Sequence, residues 1–232
     1  VFGMAWDLEV TRHALGLPAT VAQMSDLHLD RVCIAPARVA TALDRAGAEV
    51  VVLTGDFFDT EYLPDRLEAW LDALGGRPCA AVLGNHDYRL GTAGRRDLVG
   101  RLEARGIRVL RNEAATVGGV RLYGLDDPVT WHAQEEPPAD PCDLVLAHSV
   151  DLQFPVAQLP APLLCGHYHG GQFRFAPNWV IARLVLRREP FALATGILSG
   201  WTPDRRAYIH RGLGMSHISA RLRSAPEIAV FA

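Results

Sequence analysis

The 232-residue chain has no apolar run near the roughly 18–20 residues that a membrane-spanning helix needs. Its four cysteines, Cys33, Cys79, Cys142 and Cys165, are scattered, and none stands in a Cys-x-x-Cys pair. A disulfide framework is therefore not expected in a chain of this size, and the thiols are expected to be buried as small hydrophobes. An excess of basic charge is also missing: 23 Lys and Arg face 26 Asp and Glu, a formal net charge of −3. Nucleic-acid binders usually carry a basic surface, so stable nucleic-acid binding is not expected, although a nucleotide-sized substrate stays open. No internal repeat or low-complexity tract is present. The chain starts at Val1 and not at Met, so a removed leader, anchor or tag stays open. The expected location is cytoplasmic, or exported or peripheral to a membrane if such a leader existed.

What is present is a globular composition, 49% hydrophobic and 21% charged, expected to fold as a single domain over 1–232. In the first half, apolar runs alternate with helical patterns. Strands are expected at Leu8–Thr11, Thr20–Met24, Val50–Leu53 and Cys79–Leu83. Helices are expected from Pro36 to Gly47, Pro64 to Leu74 and Arg95 to Arg105. Strand–helix repetition calls for a largely parallel sheet. After Gly106 the chain is strand-rich, with expected strands at 107–110, 115–117, 120–123, 144–147, 163–165, 172–175, 208–210 and 228–231. Gly118-Gly119 reads as a hairpin turn. Two sheets packed face to face with helices outside fit this count.

Five signatures fall in order, each after an apolar run: Asp26-Leu27-His28, Gly55-Asp56-Phe57-Phe58-Asp59, Gly84-Asn85-His86-Asp87, a single His148, and Gly166-His167-Tyr168-His169. Residues i and i+2 at a strand end share a face, so Asp26 with His28, and His167 with His169, can each reach one ion. Asp56 has two carboxylate oxygens and can bridge two cations, with Gly55 allowing a sharp turn beneath them. Asp59 is expected to orient a ligand or a bound water from behind. Asn85 is a neutral oxygen ligand. His86 beside it can face the substrate, with Asp87 holding its imidazole in one tautomer. Taken singly, Gly-Asn-His-Asp also reads as a turn, and His148 as a core histidine. Together the signatures point to a two-metal site of Asp26, His28, Asp56, Asn85, His148, His167 and His169. Such a site can generate hydroxide near neutral pH and clamp a phosphate.

These residues resemble the calcineurin-like metallophosphoesterase superfamily, whose pattern is Asp-x-His, Gly-Asp-x-x-Asp, Gly-Asn-His-Asp or -Glu, a lone His, and Gly-His-x-His. The resemblance implies an α/β fold, the four-layer αββα sandwich of metallo-dependent phosphatases. It implies one metal held by Asp26, His28, Asp56 and His169 and another by Asp56, Asn85, His148 and His167. His86 would be the acid near the leaving group, or a phosphate contact, supported by Asp87. The segment Gly124–Asp127, the Gly-His-Tyr-His-Gly-Gly-Gln run to Gln172, and Arg211-Gly212-Leu213-Gly214 followed by Pro226-Glu227-Ile228 resemble the bacterial YaeI/YkuE-type branch. That branch consists of phosphodiesterases, often exported or membrane-associated, and related enzymes cleave UDP-diacylglucosamine. Tyr168 stands where that branch usually has Thr, and Ser149-Val150 replaces a frequent Asn-Pro. Thr60-Glu61 and Asp87 separate the chain from protein serine/threonine phosphatases, and no ligand Tyr near Asp59 suggests a purple acid phosphatase.

The expected activity is phosphodiester or pyrophosphate hydrolysis by attack of a metal-bridging hydroxide, with His86 assisting the leaving group. The alternatives are a phosphomonoesterase of the same fold and a non-catalytic metal-binding scaffold. Carboxylate, imidazole and amide ligands without thiolate suit Mn²⁺ first, with Fe²⁺ or Zn²⁺ as alternatives. The expected substrate is a small phosphodiester, a nucleotide-sugar or a phospholipid-like molecule. Arg211 reads either as a phosphate-binding residue or as a surface arginine. The stretch 175–201 reads either as a packed cap or as an apolar face flanked by basic residues that touches a membrane peripherally. His13, His132, His210 and His217 are read as structural or surface residues, with His210 a candidate for the pocket wall. The sequence leaves the oligomeric state open.

Overall fold

A computed structural model describes residues 7–127, 133–216 and 219–232. Among them, twelve strands form two six-stranded mixed sheets. The first sheet is built from β1 (Glu9–His13), β2 (Val21–Met24), β3 (Val50–Thr54), β4 (Cys79–Val82), β5 (Arg108–Val109) and β12 (Glu227–Phe231). Its order is β1-β12-β2-β3-β4-β5. The runs VAQM, VVVLT and CAAV are buried along their whole length, because both faces of β2, β3 and β4 are covered. These three strands pair in parallel, with Val21 opposite Val50 and Val51 opposite Cys79.

The second sheet holds β6 (Glu113–Val117), β7 (Val120–Gly124), β8 (Leu144–Leu146), β9 (Leu163–Cys165), β10 (Gly200–Trp201) and β11 (Ala207–Ile209). Its order is β10-β11-β9-β8-β7-β6. Here β7, β8, β9 and β11 run parallel, while the β6–β7 hairpin turns at Gly118-Gly119.

Helices cover both outer faces. On the first sheet lie α1 (Pro36–Ala46), α2 (Pro64–Asp72) and α4 (Gly91–Ala104). Each opposes the sheet with an apolar stripe: Val39 and Leu43, Leu67, Trp70 and Leu71, Leu98 and Leu102. A short helix, α3 (Asn85–Arg89), precedes α4. The second sheet is covered by α5 (Asn178–Leu184) and α6 (Pro190–Thr195), which bury Ile181, Ala182 and Ala192. Between the sheets, Val50, Val52 and Val82 meet Leu122, Leu144 and Leu164. The architecture is the expected four-layer αββα sandwich.

Some local expectations change. The third long helix begins at Gly91 instead of Arg95. No strand forms at 172–175: the chain tightens into a 3₁₀ turn at His169–Gly171, and Phe173 makes one isolated bridge to Leu222. Gln172 is left-handed (φ 45), which breaks extended pairing there. All four cysteines are free, as expected, but Cys33 is exposed and Cys142 only half-buried.

Candidate metal centre

Parallel pairing places the carboxyl ends of β2, β3 and β4 at one edge of the first sheet, and those of β8 and β9 at one edge of the second. Every sequence signature follows one of these ends, as in other open α/β folds. The loops are stitched across the sheets. The Asp26 N–H donates to the Gly55 carbonyl, the Gly166 N–H to the His148 carbonyl, and the His167 N–H to the Asp26 carboxylate at 3.0 Å. Gly55 is left-handed (φ 85), and a Cβ there would lie 2.6 Å from the Gly84 nitrogen.

Two acceptor clusters result. Asp26, His28 and His169 form one, and Asp56, His148 and His167 the other; within each, the ligand-type atoms lie within 4.8 Å of one another, and a third group of the same spacing, His28, Asp56 and His86, links the two. In the first, His28 Nε2 is 3.1 Å from His169 Nε2 and 3.8 Å from Asp56 Oδ2. In the second, His148 Nε2 is 3.2 Å from Asp56 Oδ2, 3.1 Å from Asn85 Oδ1 and 3.1 Å from His167 Nδ1. Asp56 therefore touches both clusters.

The tautomers can be inferred from the outer nitrogens. His148 Nδ1 is 2.8 Å from the Thr54 carbonyl, and His167 Nε2 is 3.1 Å from Glu189 Oε2. A neutral ring donating at those atoms turns a lone pair inward at the other nitrogen. Acceptors that converge this way need a cation among them, so the donor set fits bound metal. Between themselves the groups pair as ions: burial lowers His148, but the charges of Asp56 and Asp26 outweigh it and raise it well above the ordinary histidine value, a positive charge that a bound metal would replace. Burial pushes the Asp56 carboxyl up, but His148 and His28 outweigh it and hold it well below the usual range. Burial keeps His169 well below the ordinary histidine value, and hence neutral.

The backbone is strained at the same places. Asp26, His28, Asp56, His167 and His169 all have positive φ (47, 39, 56, 73 and 51°). Left-handed non-glycine residues cost about 1 kcal/mol or more each and gather at functional sites.

A scan against protein-family models matches residues 19–171 to the calcineurin-like phosphoesterases. The chain belongs to that family. It is similar to phosphodiesterase YaeI of Escherichia coli, at 30% identity over 251 residues covering 96% of this chain and 87% of YaeI. It is also similar to the metallophosphoesterase YkoQ of Bacillus subtilis, at 28% identity covering 92% of this chain and 84% of YkoQ. YkuE of the same organism is 26% identical, covering 91% of this chain and 77% of YkuE. The chain is thus a metal-dependent phosphoric ester hydrolase of the YaeI/YkuE branch.

Within this phosphoesterase, two expectations need correction. The first concerns His86, whose ring is not held by Asp87. The Asp87 carboxylate instead accepts the N–H groups of Asp56, Phe57 and Gly84 at 2.8–2.9 Å. Burial and the charge of Asp56 push it up to about 7 even so. The partner of the His86 ring is Asp59: Nδ1 lies 3.0 Å from its carbonyl and 3.2 Å from its carboxylate. Arg31 pairs with the other carboxylate oxygen at 2.6 Å. Arg211 is the second correction. Its guanidinium pairs with Glu9 at 2.8 Å and Glu227 at 3.3 Å, beside β1 and away from the cleft.

Beside the clusters opens a cleft of about 800 Å³, with Asp56, Asn85 and His86 in its floor and Arg187, Arg188 and Glu189 in its wall. The cation nearest His86 is Arg89, which also lines the cleft and approaches His86 Nε2 at 3.1 Å. Sequence reasoning missed it, although i and i+3 share a helix face. It also missed Arg221, a buried arginine whose guanidinium reaches the Gly214, Arg211 and Ser224 carbonyls and lies 3.5 Å from His169 Nδ1. His210 is buried and accepts the Gly212 N–H, so it is structural and does not line the cleft. His13 packs among Trp201, Tyr208 and Phe231. His132 and His217 lie outside the described residues.

Proposed function

We propose that the chain is a dinuclear metallophosphodiesterase, with Asp56 the ligand common to two metal positions. The observation that carries this reading is the convergence of two acceptor clusters on one carboxylate. Asp26, His28 and His169 would complete one position, and Asn85, His148 and His167 the other. Mn²⁺ is the favoured ion on ligand chemistry, ahead of Fe²⁺ or Zn²⁺. A bound metal pair supplies a hydroxide near neutral pH and neutralises phosphate charge.

The chain's own groups do the rest. His86 donates Nδ1–H toward Asp59, which leaves Nε2 facing the cleft. Nε2 accepts from the Arg89 guanidinium; a phosphate that draws Arg89 to itself would free Nε2 to carry a proton between solvent and the departing oxygen, with Asp59 holding the ring in place. Arg89, Arg187 and Arg188 give the cleft a positive wall suited to a phosphodiester's anionic groups.

The test is hydrolysis of bis-p-nitrophenyl phosphate and p-nitrophenyl phosphate by metal-stripped protein, with each metal restored separately, beside Asp56→Asn. Restored diesterase activity that Asp56→Asn lacks is expected. Preference for the monoester would favour a phosphomonoesterase, and silence on both with no retained metal would favour the scaffold.

A membrane-facing role for 175–201 is supported by the cap's two faces. Its inner face packs on the second sheet, while Phe175, Trp179, Leu184, Val185 and Leu193 are 40–59% exposed. Arg183 lies over the Trp179 ring, and Arg187 and Arg188 are exposed alongside. An apolar row rimmed by arginine suits an anionic bilayer surface and a substrate with an apolar tail. No helix among the described residues is long and apolar enough to cross a membrane.

A further inference from the structure

The cap is joined to the metal centre by two carboxylates. Glu189 immediately precedes α6, and its side chain makes no cap bond to that helix but reaches the centre, with Oε2 3.1 Å from His167 Nε2. The other nitrogen of that ring, Nδ1, lies 3.1 Å from His148 Nε2 inside the second cluster. The imidazole thus spans the gap between cap and centre. Nearby, Asp151 follows the His148 loop; its Oδ1 accepts the Phe191 N–H of α6 at 2.8 Å, and its Oδ2 takes the Tyr168 hydroxyl. Tyr168 is buried between the two histidines of its motif. The α5–α6 cap is therefore seated on both histidine loops by polar contacts with defined partners.

A neutral imidazole carries one proton. Unrestrained, His167 would share it between tautomers and rotate freely about its side-chain torsions. A carboxylate at Nε2 keeps the proton outward and the Nδ1 lone pair inward. We propose that Glu189 is a positioning residue for the second metal position, acting through His167, so that tight binding there depends on a seated cap. This rests on the dinuclear reading above. It gives the cap a role at the metal centre in addition to forming one wall of the cleft.

The experiment is calorimetric titration of Mn²⁺ into the metal-stripped full chain and into Glu189→Ala and Glu189→Gln, with thermal unfolding of each metal-free protein. The parent is expected to take two ions. In Glu189→Ala the first site keeps its affinity and the second weakens by roughly 10–100-fold, the usual effect of removing a carboxylate behind a metal-bound histidine. Glu189→Gln keeps an acceptor oxygen at Nε2, so its loss should be smaller than that of Glu189→Ala. A merely structural residue would lower the unfolding temperature without separating the two sites. If Glu189→Ala does not fold, Glu189→Leu, which fills the same space without an acceptor, decides: a selectively weaker second site supports the inference, and two parental affinities overturn it. Two parental affinities in a folded Glu189→Ala overturn the inference alone. A parent that binds fewer than two ions overturns the dinuclear reading and the inference with it.

Discussion

Gly84→Ala isolates the geometry of the shared carboxylate. Gly84 has φ −105° and ψ 173°, extended backbone that alanine adopts without strain, so the substitution changes only the space filled. The added Cβ would stand 2.3 Å from Asp56 Oδ1, 2.7 Å from the Asp56 nitrogen and 2.8 Å from His148 Cγ. Unstrained contact needs about 3.5 Å, so Asp56 or His148 must move by about 1 Å. Neither is free to do so cheaply: the His86 N–H donates to Asp56 Oδ1 at 2.9 Å, and the His148 ring is anchored on Thr54. A misplacement of that size costs on the order of 10²-fold in rate, and overpacking costs about 1–3 kcal/mol of stability. The assay is Mn²⁺-dependent kcat/KM on bis-p-nitrophenyl phosphate, with urea unfolding of the metal-free protein. Gly100→Ala is the control: it sits in α4 with nothing within 4 Å of the new Cβ. It should raise stability by about 0.5–1 kcal/mol and leave turnover alone. Parental activity and metal content in Gly84→Ala would refute the placement of Asp56 between the two clusters.

Arg89→Ala should lower kcat/KM on the diester about tenfold, since an exposed charge-assisted contact sits at the low end of its range. Arg211→Ala should lower the unfolding temperature and leave kcat/KM unchanged; the reverse pattern would restore Arg211 to the site. Glu227 is buried, which raises its carboxyl, but His210, Arg211 and the Tyr208 and Thr11 hydroxyls outweigh burial and hold it at about 2, against an ordinary 4.5. A depressed acid stabilises the fold above its unfolded value, and that stability is lost as pH falls from 4.5 toward 2. The full contribution is about 3 kcal/mol, of which about 2 kcal/mol disappears between pH 5 and 3. Urea unfolding at both pH values should show a smaller acid loss in Glu227→Gln by about that amount, and equal losses would refute the assignment. The protein should cosediment with anionic vesicles, and Trp179→Asp with Leu184→Asp should abolish this; no binding by the parent would sink the membrane reading.

The fold was legible because apolar runs mark strands covered on both faces and Pro-led stripes mark the helices. The candidate site was legible because its residues follow strand ends in a fixed order. What failed was reasoning from adjacency. His86 and Asp87 are neighbours in sequence, but successive residues on a helix do not face each other, so Asp87 points back under the loop of Asp56. Asp59, distant in sequence, meets the His86 ring. Arg211 follows β11 in a glycine-rich turn, and that turn faces β1 and its glutamate, which no local pattern reveals. Glu189 was hidden for the same reason: only the seating of α5 and α6 on the second sheet brings it to His167.

The acidic residues in and just after the motifs divide into two kinds that look alike in sequence. Asp30 and Asp87 point their oxygens at backbone N–H groups. Asp30 accepts those of Asp59, Thr60 and Glu61, and Asp87 those of Asp56, Phe57 and Gly84. Asp56 and Asp26 aim at the imidazoles while each also accepts one backbone N–H, Asp56 that of His86 and Asp26 that of His167. The first kind accounts for how the second is tolerated. Left-handed turns at Asp26, His28, Asp56, His167 and His169 are individually unfavourable, and they persist where surrounding contacts over-determine them. Carboxylates that pin three N–H groups each supply that over-determination for the loop after β3. The Asp26 carboxylate does the same for the loop after β9. The sequence motif therefore encodes both the acceptors of the site and the backbone clamps that aim them, and only the hydrogen bonds tell the two apart.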